Sequence, residues 1–150
     1  MKNQVRVTKK FNFEIAHALW NYDGLCKNLH GHSYKLFVTV IGTPLNDLKS
    51  PKNGMVIDFS DLKKLVAKEI VEPFDHSVIL NSAAFTANMT TIKQMFDKRH
   101  VVDYQPTCEN MVVDFARRIT QKLPAGLKLH SIKLHETDSS FAEWYASDNE

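Results

Sequence analysis

From Val5 to Ile15 the odd positions read Val, Val, Lys, Phe, Phe and Ile, while the even ones read Arg, Thr, Lys, Asn and Glu. A period of two kept up over that length predicts a long strand with one buried face. A second alternation over about residues 32–42 sets Tyr34, Leu36, Val38 and Val40 on one face and Lys35 and Thr39 on the other, which predicts another strand. The polar loop between them, about residues 19–29, is long for a hairpin, and loops of that length in compact domains are more often functional than passive. After Pro44 a turn through Lys49-Ser50-Pro51-Lys52-Asn53-Gly54 leads into the short apolar run Met55-Val56-Ile57. Leu62, Leu65, Val66 and Ile70 then follow helical spacing, with Asp58 or Ser60 able to cap the helix and Pro73 to stop it. A second helix is expected from Pro106-Thr107, with Val112, Phe115, Ala116, Ile119 and Leu123 on one face and Pro124 and Gly126 ending it. Two further strands, about residues 128–136 and 141–146, flank the turn Thr137-Asp138-Ser139-Ser140. Strands, then helices, then strands make an α+β pattern. Residues 82–104 keep no sustained period; Ile92, Met95 and Phe96 suit a short helix, and the segment reads as a surface insertion.

Composition narrows the class. With 150 residues, 43% hydrophobic and 24% charged, residues 1–150 are expected to form a single domain around one core, which excludes collagen-like and disordered chains. A net charge of +2, from 19 Lys and Arg against 17 Asp and Glu, is too small to make nucleic acid or an anionic membrane the default partner. Met1-Lys2-Asn3-Gln4 opens straight into a polar alternating segment, no apolar run approaches the ~20 residues of a membrane helix, and two cysteines are too few for a disulfide scaffold. A cytoplasmic protein with reduced thiols is the expectation. Seven histidines are the oddity.

His30-Gly31-His32 places two imidazoles at i and i+2, on one face of an extended chain, with alpha carbons about 7 Å apart. His17 continues the Phe11, Phe13, Ile15 face, and His32 continues the Tyr34, Leu36 face. If the two strands pair through the loop, all three rings reach one side of the sheet near its end. Three neutral nitrogens with a fourth position open is the arrangement of catalytic zinc. Imidazole also suits copper, iron or nickel, and a His-x-His pair on a strand serves equally as solvated or hydrogen-bonded histidines.

The blocks Phe13-Glu14-Ile15-Ala16-His17, Cys26-Lys27-Asn28-Leu29-His30-Gly31-His32-Ser33-Tyr34, Gly54-Met55-Val56-Ile57-Asp58-Phe59, Phe74-Asp75-His76, Pro106-Thr107-Cys108-Glu109-Asn110 and Glu136-Thr137 occur in this order across nearly the whole chain. In sequence and order they resemble the superfamily of 6-pyruvoyltetrahydropterin and 6-carboxytetrahydropterin synthases. The resemblance implies the tunnelling fold (T-fold), an antiparallel four-stranded sheet with two helices packed on one face. It also implies edge-to-edge assembly into a homohexamer, a dimer of trimers, with sites at subunit contacts.

The same resemblance implies a small-molecule substrate, 7,8-dihydroneopterin triphosphate, and a zinc ion (Zn2+) held by His17, His30 and His32. It makes Cys26 an acid/base group, Asp75 and His76 a proton relay near it, Glu136 the pterin anchor, and Thr107 and Glu109 pocket residues. Each has a plainer use: an inert thiol for Cys26, a helix-end cap and a surface histidine for Asp75 and His76, and a strand-end carboxylate for Glu136. Thr107 and Glu109 equally suit a helix start. Lys27 is available for the triphosphate, though no spacing singles it out. Cys108 is given no chemistry, and His100, His130 and His135 are read as surface or hydrogen-bonding residues. With sites at subunit contacts, variants of Cys26 and Glu109 are expected to complement each other in mixed oligomers.

The three-residue gap between Cys26 and His30 resembles the bacterial 6-carboxytetrahydropterin synthases of the queuosine pathway, which lose the side chain as acetaldehyde. The alternatives are a 6-pyruvoyltetrahydropterin synthase that eliminates triphosphate, and a non-catalytic pterin- or metal-binding module. The stretch His76-Ser77-Val78-Ile79-Leu80-Asn81 is one residue longer than the shorter family pattern, and residues 82–104 are longer than in compact members.

Overall fold

A computed structural model describes residues 3–150, so Met1 and Lys2 of the polar opening segment lie outside the described residues. In chain order the elements are β1 (Val5–His17), β2 (His30–Gly42), α1 (Phe59–Val66), α2 (Glu72–Phe74), β3 (Ser77–Asn81), α3 (Ser82–Ala87), α4 (Met89–Met95), β4 (Arg99–Val102), α5 (Cys108–Thr120), β5 (Lys128–His135) and β6 (Phe141–Tyr145). β1 and β2 pair antiparallel along their whole length, from Val5 opposite Gly42 to His17 opposite His30. β5 pairs with β2 and β6 with β5, both antiparallel.

Those four strands are the ones the alternation predicts, but the sheet is larger and mixed. It has six strands in the order β4-β3-β1-β2-β5-β6, with β3 parallel to β1 and β4 parallel to β3. The expected antiparallel four-stranded sheet is therefore corrected. The physical reason lies in β3, where Ser77 to Leu80 are all buried. A strand buried on both faces shows no alternation and reads as a short apolar run. Residues 82–104 are likewise more than an insertion: α3 and α4 lie toward the surface, while β4 joins the sheet and buries Val102.

The two expected helices pack on one face. Asp58 caps α1 by accepting from Ser60 N and Oγ at 2.8 and 2.7 Å. A π-helical turn, Ala67–Val71, joins α1 to α2, and the backbone stays helical through it. Pro73 therefore lies inside the last turn rather than stopping the helix. Its ring crowds the carbonyl four residues back, and a wide turn just before it relieves that contact. From this helix Leu62, Val66, Ile70 and Phe74 point inward, and from α5 Met111, Phe115 and Ile119 do, all against Phe13, Ile15, Leu36, Val38 and Ile132 of the sheet. Phe115 sits edge-on to Phe13 and Phe74, with ring centroids 6.3 and 5.0 Å away, and its loss would cost about 3–5 kcal/mol. The other face of β1 exposes Arg6, Thr8, Lys10, Asn12 and Glu14. No helix among the described residues is long and apolar enough to cross a membrane.

Candidate active site

The apolar face of β1 and β2 changes character at its upper end, where Phe13, Ile15 and Tyr34 give way to His17, His30 and His32. His17 stands directly opposite His30 in the antiparallel register, so both rings emerge on the core side, and His32 follows two residues on. One ligand nitrogen from each of the three lies within 4.8 Å of the others. His17 is buried, and its Nδ1 donates to Pro106 O at 2.7 Å. His30 Nδ1 donates to Asn28 O at 2.8 Å. With both Nδ1 protons committed to carbonyls, the two Nε2 atoms carry lone pairs, and they face each other across 3.1 Å. A proton on one of them would relieve the repulsion, but burial pulls the His17 pKa below its ordinary value, against the opposing pull of the Pro106 contact and Glu136.

His32 Nε2 is buried without a hydrogen-bond partner, although Glu136 Oε1 lies 3.4 Å away out of hydrogen-bond alignment. Buried polar atoms are almost always paired. Two lone pairs facing each other and an unpartnered nitrogen of a third ring fit a divalent cation of the imidazole-binding kind, and a carbonyl behind a ligating ring, as for His17 and His30, is the usual support for one.

A cleft of about 260 Å³ opens beside this cluster, lined by His17, Tyr22, Cys26, Thr107, Glu109, Glu136 and Phe141 among others. Cys26 lies on a 3-10 turn, Leu25–Lys27, and is partly exposed. Thr107 caps α5 by accepting from Asn110 N at 3.3 Å, and Glu109 occupies the first turn, so capping and cleft-lining coexist. The Glu136 Oε2 atom accepts from the Tyr34 hydroxyl at 3.5 Å. Burial, then the nearby Glu136 charge, pushes the Tyr34 phenol well above its ordinary range, so it remains a donor. Cys108 lines the same cleft but is buried, donates to Leu134 O at 3.2 Å, and has its thiol pushed up to about 11 by burial. It is a poor source of thiolate.

Asp75 and His76 lie elsewhere. They touch, His76 Nδ1 to Asp75 Oδ1 at 2.9 Å, but His76 lines a second cleft of about 360 Å³ with Glu14, Ser33, Ser77 and the cluster's own His32. His76 takes a left-handed backbone (φ 57°) and its side chain is 77% exposed. The turn is fixed by Glu14, whose N–H donates to Asp75 Oδ1 at 2.9 Å and whose carbonyl accepts from His76 N at 2.7 Å. Burial raises the Asp75 pKa, but the Glu14 N–H and His76 outweigh it and hold the carboxyl below its ordinary value. Cys26 and Glu109 line one cleft of one chain, whereas His76 is set apart from Cys26.

Pro106, Asn28 and Tyr34 support the site without a signal in the spacing, since two act through main-chain carbonyls and the third reads as core. Lys27 is exposed at the end of its turn. Away from the site, His100 lies 3.3 Å from Arg118 Nη2, and His135 packs at a tilt between Phe37 and Phe141.

A family model described as 6-pyruvoyl tetrahydropterin synthase matches residues 6–147. The chain belongs to that family. As a member it is a lyase of the pterin synthase group. The 6-carboxy-5,6,7,8-tetrahydropterin synthase of Haemophilus influenzae is 37% identical over 141 residues, covering 93% of this chain and 97% of its own. The human 6-pyruvoyl tetrahydrobiopterin synthase is 30% identical over 149 residues, covering 91% of this chain and 88% of its own. The structure of Caenorhabditis elegans 6-pyruvoyl tetrahydropterin synthase shares the fold, with a TM-score of 0.66 at 21% identity over 97% of each chain.

Proposed function

We propose that residues 1–150 form one tunnelling-fold domain acting as a zinc-dependent 6-carboxy-5,6,7,8-tetrahydropterin synthase. The reaction converts 7,8-dihydroneopterin triphosphate and water to 6-carboxytetrahydropterin, acetaldehyde and triphosphate, in a cytoplasmic homohexamer built as a dimer of trimers. The observation that carries this reading is the convergence of three imidazole nitrogens beside a cleft that also holds Cys26 and Glu136.

His17, His30 and His32 would hold the zinc ion, which would act as a Lewis acid toward a side-chain hydroxyl of the substrate and offset the negative charge developing there. Cys26, as thiolate, takes a proton from the neighbouring carbon and returns one as the side chain is cut. Glu136 accepts two hydrogen bonds from the N–H edge of the pterin ring and so fixes its orientation, while Thr107 and Glu109 border the ring's slot. Asp75 holds the Nδ1 proton of His76, which leaves the other ring nitrogen to exchange protons. Because His76 faces outward in a different cleft, it serves the Cys26 of a neighbouring copy in this reading.

The carboxy branch rests on the three-residue spacing from Cys26 to His30 and on the similarity to the Haemophilus influenzae enzyme. Zinc-loaded protein incubated with 7,8-dihydroneopterin triphosphate, with products identified by mass, tests it. Acetaldehyde together with carboxytetrahydropterin is expected. Pyruvoyltetrahydropterin would assign the chain to the other branch, and unchanged substrate would leave a binding module.

A further inference from the structure

The loop that carries Cys26 has no apolar anchor: none of the described residues 18–29 is buried. Hydrogen bonds must therefore decide where it sits, and segments held this way open at little free-energy cost. At its far end the loop is tied by Asn28 O to the His30 ring at 2.8 Å. At its near end the tie comes from a residue 85 positions away, Gln105. The Gln105 side chain accepts the Trp20 N–H through Oε1 at 2.9 Å and donates from Nε2 to Trp20 O at 2.7 Å. This pairing copies one rung of an antiparallel ladder in a place where no strand exists.

Gln105 is itself rigidly mounted. Its carbonyl accepts from Thr107 N at 2.7 Å and from Asn110 Nδ2 at 2.9 Å. The next carbonyl, that of Pro106, holds the Nδ1 of His17. Leu19, beside Trp20, donates its N–H to Cys26 O at 2.9 Å, so a shift of Trp20 reaches the Cys26 backbone through one hydrogen bond.

We propose that Gln105 is a positioning residue that holds the Cys26 loop in register with the three-histidine cluster and the Thr107 side of the cleft. The role of Cys26 in turnover rests on the proposed reaction; the clamp itself does not. A reacting group misplaced by on the order of 1 Å costs about a hundredfold in rate.

Q105A and Q105E, made in the full-length zinc-loaded protein, test the proposal. The readouts are turnover of 7,8-dihydroneopterin triphosphate, iodoacetamide alkylation of Cys26 followed by peptide mass, zinc content and Tm. For Q105A, kcat is expected about tenfold to a hundredfold lower with KM nearly unchanged. Cys26 should be alkylated faster, while zinc content and Tm stay near wild type, because no core contact is lost. Q105E keeps the acceptor for Trp20 N–H but sets a carboxylate against Trp20 O, so it should move both readouts in the same direction. Unchanged kcat and unchanged alkylation in Q105A would overturn the proposal. So would a fall in Tm and zinc in both variants with no selective change at Cys26, which marks a merely structural residue. If wild-type protein fails to turn the substrate over, the proposed reaction falls, and alkylation alone decides the clamp: faster in the variants supports it, equal overturns it.

Discussion

Two polar clusters are built into the helix-covered side of this sheet, one around Asp114 and one around His17, and they are finished in opposite ways. Asp114 on α5 is buried, yet both of its oxygens have donors: Arg117 Nη2 at 2.5 Å on Oδ1, and Arg118 Nε at 2.8 Å and the Tyr104 hydroxyl at 3.0 Å on Oδ2. His100 completes the arrangement, packed at a tilt against Phe74 with ring centroids 4.0 Å apart. Each carboxylate oxygen there is met by a donor of the same chain. Around His17 the outer nitrogens are tied back to carbonyls and the inner ones are left facing each other. Buried polar groups normally find partners within the chain, so the first cluster is a finished piece of structure and the second is a receptor for something from outside.

The contrast can be broken or sharpened by experiment. The largest expected effect is on Cys26, which borders the open cluster: Cys26→Ala should lower kcat by about 10²–10⁴-fold, the range for loss of a positioned acid/base group, with zinc content unchanged by metal analysis. Mixed oligomers of Cys26→Ala and His76→Ala chains should regain part of the turnover that neither homo-oligomer has. Absence of recovery, with both chains folded and co-assembled, would count against a relay shared between copies.

The closed cluster should answer in stability alone. Asp114→Asn removes the carboxylate from two arginines and should cost about 3–5 kcal/mol in denaturant unfolding, while zinc content and the kcat of the folded fraction stay as in wild type. Burial raises the Asp114 pKa, but the hydrogen bonds from Arg118 and Arg117 outweigh it and hold the carboxyl below its ordinary value. Its stabilising contribution is then complete above the unfolded carboxylate value of about 3.9 and is lost as pH falls through the lower folded one. The variant should lack that part of the acid limb.

Stripping the metal with a chelator should act on the open cluster, lowering stability by about 2.7 kcal/mol relative to protein held at free zinc a hundredfold above Kd. Asp114→Asn should show the same zinc increment. The smallest effect is expected for Thr107→Ala, about 1 kcal/mol from the lost α5 cap, with KM raised because the side chain also lines the cleft.

Much of the molecule was legible where burial is one-sided. β1, β2, β5 and β6 alternate, and the α1 and α5 faces repeat at helical spacing, because each covers the core with one side only. β3 escaped because Val78, Ile79 and Leu80 are buried together, and β4 because a short strand in a polar segment has no period to show. The three-histidine cluster could be read from the phase of His17 against His30 and His32, since strand pairing converts phase directly into a shared face. Cys26, Thr107, Glu109 and Glu136 were reached only through the family resemblance, and they do line one cleft. The separation of Asp75 and His76 from that cleft was not legible, because it depends on a parallel strand and a left-handed turn that leave no repeat in the sequence. Gln105 was invisible for a related reason: its partner is a backbone 85 residues away.

The central claim is that the three inward-facing imidazoles hold one metal ion. Zinc loading followed by dialysis, metal analysis and X-ray absorption of wild type and His32→Ala tests it most directly. Expected is about one zinc per wild-type chain, with nitrogen ligands at about 2.0–2.1 Å, and little zinc in the variant. A wild-type chain that retains no zinc, or a His32→Ala chain that retains as much as wild type, would contradict it.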